Sequence, residues 1–154
     1  MALAAVVILT GSDPLPTIRS LGVPCLLAGP EDLARAVVPL RSMANVCGVV
    51  VADNSASGLL AAARELDSEM VVACESGMVF SAELCSSLPA TYDGLLTWDG
   101  PRPRPPVGNG WNPGLPFALR RRHLFQIEGA SLGDFLKAVS KVHPPCHLPH
   151  PLNS

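Results

Sequence analysis

Short, continuously apolar runs alternate along the chain with polar turns and with segments of helical spacing. Residues 2–9 are apolar throughout, as strands covered on both faces are. Residues 10–16 read as a turn, and 16–21 give at most two helical turns. Residues 23–28 predict a second strand. Gly29-Pro30-Glu31-Asp32 then starts a helix: proline suits the first turn, and carboxylates favour the positive end of the dipole. Leu33, Ala36, Val37 and Leu40 give it one apolar face, and Pro39 predicts a kink or stop near Val38.

Residues 47–52 predict a third strand. Asn54 or Ser55 caps the helix that follows, and Leu59, Leu60, Ala63 and Leu66 form its buried face. Residues 70–74 are a fourth strand, Glu75-Ser76-Gly77 a turn, and 81–84 the start of a short helix. Residues 94–98 read as a fifth strand and 123–128 as a sixth. Ser131 opens a last helix with Leu132, Phe135, Leu136, Val139 and Val142 on one face, stopped by Pro144-Pro145. Strands alternating with helices predict an α/β fold with a mostly parallel sheet of five or six strands and flanking helices, Rossmann-like or flavodoxin-like. Residues 1–143 are expected to form this single domain.

Two stretches break the rhythm. Residues 101–118 are a Pro/Gly-rich excursion, followed by the basic knot Arg120-Arg121-Arg122, and 144–154 are an extended tail rich in proline and histidine. Structureless segments this long in a compact domain are usually functional or docked.

Composition narrows the classes. Only 16% of the 154 residues are charged and the formal net charge is −2, so no global field draws the chain to nucleic acid or membrane. The apolar opening lacks a basic leader and is too short to span a bilayer. Five cysteines with no C-x-x-C pair point to free thiols in an intracellular, reducing compartment.

Asp13, Asp53, Glu75 and Asp99 each follow a predicted strand. In a parallel sheet such positions share one edge, where clustered carboxylates bind Mg²⁺ through oxygen or raise one another's pKa. Asn54, Ser55 and Ser57 open a helix and can cradle a phosphate through backbone N–H groups and hydroxyls, or simply cap it. The G-x-x-x-x-G-K-[ST] and G-x-G-x-x-G nucleotide motifs are missing. Arg102, Arg104, Arg120, Arg121 and Arg122 with Trp111 suit a protein partner or a second copy of the chain. Their chemistry also suits RNA, though only 5% of the chain is aromatic. His143, Cys146, His147 and His150 have ligand types for zinc, but the tail's default is an extended segment.

An acid after the first strand, Asp53 after the third and Ser76 after the fourth resemble the response-regulator receivers. The lysine that this resemblance requires after the fifth strand is replaced by Trp98-Asp99-Gly100, which implies a degenerate receiver. The stretch from Gly11 to Ile18 resembles the first motif of the carboxyaminoimidazole ribonucleotide mutases. Their second and third motifs have no counterparts, so no active site is carried over. The residues thus lead to a non-catalytic interaction or assembly subunit, docking through its Pro/Arg-rich segment and tail. The alternative is an enzyme or receiver-like sensor that binds a phosphorylated or nucleotide ligand at the carboxyl edge of the sheet, with Mg²⁺ as the candidate ion.

Overall fold

The computed structural model describes residues 3–80, 94–97, 115–143 and 146–147. Four parallel strands form its centre: β1 (Leu3–Ile8), β2 (Cys25–Gly29), β3 (Val46–Val51) and β4 (Met70–Glu75). Strand β6 (Phe117–Arg120) runs antiparallel to β4 and to β5 (Leu96–Thr97), and β5 pairs in parallel with β7 (Cys146–His147). The seven described strands form one sheet in the order β3-β2-β1-β4-β6-β5-β7. The first four follow the Rossmann order, in which β4 lies beside β1. A flavodoxin-like or receiver order would place β3 there.

Helices cover both faces. Helices α1 (Leu15–Leu21) and α2 (Glu31–Ala36) pack on one face, where Ile18, Leu21 and Val37 meet Ala5, Val7, Leu27 and Val72. Helices α3 (Ser55–Glu65), α4 (Arg121–Leu124) and α5 (Leu132–Val142) cover the other. There Leu59, Ala62, Leu124 and Phe135 meet Ala4, Val6, Ile8 and Val71. The unbroken apolar run of β1 follows directly, since alternate residues serve two cores. Helix α2 ends at Ala36 and a 3-10 turn at Val38–Ser42 follows, which is where Pro39 removes a backbone donor. Among the described residues, no helix is long and apolar enough to cross a membrane.

The structure corrects one element of the sequence reading. Residues 123–128 are not a strand: α4 is followed by a 3-10 turn at Phe125–Ile127. Leu124 and Ile127 are spaced for one helical face and are both buried, whereas Phe125 between them is exposed. The strand lies earlier. Phe117 and Leu119 face the core beneath α3 and α5, and Ala118 faces the opposite one. Two residues assigned to the excursion, Phe117 and Ala118, are therefore sheet residues. The tail also joins the sheet through β7, which adds a seventh strand. The expected helix start at 81–84 lies outside the described residues.

Cys25 and Cys74 lie in β2 and β4, fully buried, with β1 between them. Burial pushes the Cys25 thiol up to about 12, helped by the neighbouring Cys47, and raises Cys74 well above its ordinary value. A raised folded pKa contributes stability that is complete below the unfolded value of 9.0 and is lost as pH climbs toward about 12. Each thiol then removes up to about 1.4 kcal/mol per pH unit. Urea midpoints should accordingly fall steeply from pH 9 to pH 11, and Cys74→Ala should flatten that fall. A flat profile in the unmodified protein would show that the two thiols ionise in the folded state.

Candidate functional site

Among the four parallel strands, the order reverses between β1 and β4. From β1 the chain steps outward through β2 to β3, then returns by α3 to place β4 on the other side of β1. In open α/β sheets ligands bind beyond the carboxyl ends of the strands at such a switch point. Here that position is made by Thr10 to Asp13 after β1 and by Ser76-Gly77 after Glu75, the last residue of β4.

The two turns are laced together. Ser76 is buried, and its Oγ accepts a hydrogen bond from Thr10 N at 2.8 Å and lies 2.8 Å from Thr10 Oγ1. Gly77 N donates to Thr17 Oγ1, which is buried at the base of α1, at 3.0 Å. Gly77 adopts φ +98, and a Cβ there would stand 3.0 Å from the Ser12 Cβ. The floor of the switch point is therefore a rigid hydroxyl-and-backbone lattice. No local sequence signal announces it, because Thr10 and Ser76 are 66 residues apart.

Two clefts open on the two faces of the sheet, one of them along this floor. On the α3/α5 face, one of about 600 Å³ is lined by Asn54, Ser55, Ser57, Leu60, Ile127 and the loop from Glu128 to Leu132. The N-termini of α3 and α5, capped by Asn54 and Ser131, both border it. On the α1/α2 face, a cleft of about 420 Å³ runs along Thr10 to Pro14 and is walled by Leu33, Ala36, Val37 and Leu40.

The structure brings together some sequence-predicted residues and separates others. Asn54, Ser55 and Ser57 share the larger cleft. Two of them also form a capping box: Ser57 N donates to Asn54 Oδ1 at 2.9 Å, and Asn54 N donates to Ser57 Oγ at 3.2 Å. Asp13 lines the other cleft, with Oδ1 accepting from Leu15 N at 3.0 Å. Strand β2 intervenes between the strands that carry Asp13 and Asp53, so these acids do not adjoin. Asp99, Arg102, Arg104 and Trp111 lie outside the described residues.

Arg120, Arg121 and Arg122 are at the opposite edge, because antiparallel β6 pairs Arg120 with Met70 at the start of β4. His123 is buried, and its ring centroid lies 3.9 Å from that of His143. The loop residues from Glu128 to Ala130, which complete the larger cleft, carry no signal in the sequence beyond the cap at Ser131.

Charge bears on what these clefts can hold. Neither is lined by lysine or arginine among the described residues. Attraction for an anion comes instead from the partial positive ends of two helices and from hydroxyls. Among the described residues, no group of three or more His, Cys, Asp or Glu could hold a metal ion. His150 of the tail motif lies outside the described residues.

The sequence matches no protein-family model and no curated protein. Solved structures are similar in fold. A 4-diphosphocytidyl-2C-methyl-D-erythritol synthase from Anaerococcus prevotii superposes with a TM-score of 0.70 at 11% identity, over 97% of this chain and 89% of that one. TarS 1-349 from S. aureus, in complex with UDP-GlcNAc, gives 0.69 at 14% identity over 99% of this chain, which spans only 57% of that one. Rv0371C from Mycobacterium tuberculosis, in complex with manganese, gives 0.62 at 18% identity over 97% of this chain and 88% of that one.

These likenesses establish the fold. They correct the expectation of a non-catalytic docking or assembly subunit, because the architecture is one that carries a synthase and a UDP-GlcNAc complex. The physical reason lies in the two irregular segments on which that expectation stood. Each supplies a strand to the chain's own sheet, β6 from the end of the excursion and β7 from the tail.

Proposed function

We propose that this chain is an enzyme that binds a nucleotide or nucleotide-linked substrate at the carboxyl edge of its sheet. The observation that carries the reading is the switch point between β1 and β4, on a fold shared with the synthase and with TarS holding UDP-GlcNAc. The cleft between α3 and α5 suits such a ligand best. Its volume of about 600 Å³ falls within the range of small-molecule sites. Leu60, Ile127 and Leu132 offer an apolar bed for a base, and the N-termini of α3 and α5 offer backbone N–H groups to phosphate. Ser55, at the first position of α3, is the hydroxyl best placed to join them, since Ser57 is engaged in the capping box. The free thiols at Cys25, Cys47, Cys74 and Cys146 support an intracellular, reducing setting.

Thermal unfolding with UDP, CDP and sugar nucleotides, each with and without Mg²⁺, tests the reading. A ligand at 100 times its Kd should stabilise the fold by about 2.7 kcal/mol. Ser55→Trp, which fills the α3/α5 cleft from a half-buried position, should abolish that stabilisation. Ala36→Trp, an exposed position in the other cleft, should leave it intact. If no nucleotide stabilises the protein, the reading is wrong; if Ala36→Trp alone removes the effect, the ligand sits on the α1/α2 face.

A further inference from the structure

Strand β3 closes the sheet at the end opposite β7, and only β2 pairs with it among the described strands. Ala52 N donates to Gly29 O at 2.8 Å, so Ala52 directs its backbone groups toward β2. Alternation along the strand turns Val50 the same way and turns the N–H and C=O of Val49 and Val51 outward. Native edge strands are commonly blunted by charge, by proline or by a bulge that twists the edge away. β3 reads VCGVVV, with neither charge nor proline. Its register shift against β2 lies at the amino end, where Cys25 pairs with Val46 and Leu26 with Gly48, so residues 48–51 pair without interruption.

This edge is apolar as well as open. Val51 is 62% exposed, and Val38, in the 3-10 turn beside β3, is 46% exposed. They are two of the four exposed large hydrophobic residues among those described. Val49 packs against the core beneath α1 and α2, and Val51, two residues on, projects on the same face of the sheet. Charge flanks the apolar run with opposite signs. Arg41 precedes its amino end and Asp53 follows its carboxyl end; both are exposed, and neither forms an ion pair among the described residues. Antiparallel pairing of two copies sets the amino end of one β3 beside the carboxyl end of the other. Each Arg41 then approaches the Asp53 of the other copy, whereas parallel pairing would bring like charges together.

We infer that β3 is a homodimer interface, in which two copies of this chain join their β3 edges antiparallel about a twofold axis near Val49 and continue one sheet through both. Such an interface is isologous, so the same uncharged strand serves on both sides. Backbone groups of Val49 and Val51 supply the hydrogen bonds, and the exposed side chains of Val38 and Val51 are covered. One strand pair buries less than a standard protein interface, so the dimer is a weak one, with a dissociation constant in the micromolar range or above. It does not rest on the nucleotide reading.

Sedimentation equilibrium of the full chain from micromolar to millimolar concentration, in reductant so that Cys47 cannot cross-link copies, should show monomer and dimer in exchange. Hydrogen exchange locates the contact: the Val49 and Val51 amides should exchange freely in dilute protein and become protected as it is concentrated. Val51→Lys should raise the dissociation constant about tenfold or more. Val51→Pro should do the same, since it removes an outward N–H that the sheet of a single copy does not use, and so leaves that copy folded. Val142→Lys, at the still more exposed valine of α5, is the control and should leave the dimer intact. The inference is overturned if the chain stays monomeric throughout, which would leave the edge to a strand of a different protein. It is overturned equally if the dimer keeps its affinity in Val51→Lys, or if the Val49 and Val51 amides exchange freely within it. Loss of the dimer in Val142→Lys alone would also overturn it, in favour of α5.

Discussion

Phe117→Ala is expected to lower the free energy of unfolding by about 3–5 kcal/mol, the usual cost of emptying a fully buried aromatic position. Phe117 has no exposed surface and sits in β6, between Ala73 of β4 and Thr97 of β5. Its ring enters the core beneath α3 and α5, so its removal leaves a cavity that neighbours on two strands and two helices cannot fill together. Set against a typical total of about 5–15 kcal/mol, this is a large fraction. Phe125→Ala supplies the control. Phe125 is 39% exposed and offers mainly its contact with Arg121, so its loss should cost under about 1 kcal/mol. Urea unfolding of the two variants decides between alternative folds. Were residues 123–128 the strand, the larger loss would fall on Phe125.

Gly77→Val should cost about 2–4 kcal/mol through two separable mechanisms. One is conformational, because φ +98 is a region that residues with a Cβ rarely adopt. The other is steric, since the added Cβ would meet Ser12 Cβ at 3.0 Å and Ser12 Oγ at 3.1 Å. A double-mutant cycle separates them. Ser12→Gly should restore the steric share, about 1 kcal/mol, and leave the conformational share untouched. Full stability in Gly77→Val would mean that the two turns do not touch.

Sequence patterns carry information where a structure is set by near neighbours in the chain. β1 to β4, the cap at Asn54, the stop at Pro39 and the last helix are all set by neighbours within a few residues, and each is legible locally. Strand order is set by pairings between distant segments, and periodicity is silent on it. This is why the chain does not tell which of the acids at the carboxyl edge adjoin, and β2 lies between the strands that precede Asp13 and Asp53. The direction of β6 was equally hidden. Its only local trace is the apolar run from Leu115 to Leu119, which the surrounding prolines and arginines mask. Because β6 is antiparallel, the basic knot Arg120-Arg121-Arg122 that follows the excursion is carried to the far edge of the sheet. The hydroxyl pair of Thr10 and Ser76 was invisible for the same reason as strand order, being a contact made only once β1 and β4 lie side by side.

The buried thiols of β2 and β4 also give the molecule an internal clock. Thiol reagents attack the thiolate at sulfur, and Cys25 and Cys74 are both sealed from solvent and held in the protonated form. Cys47 on neighbouring β3 is exposed, so the same chain carries a site that reacts without opening. Modification at Cys25 and Cys74 therefore waits on the parting of the central strands, and its rate relative to Cys47 measures how often the sheet breathes. The protein reports the lifetime of its own core without an introduced probe.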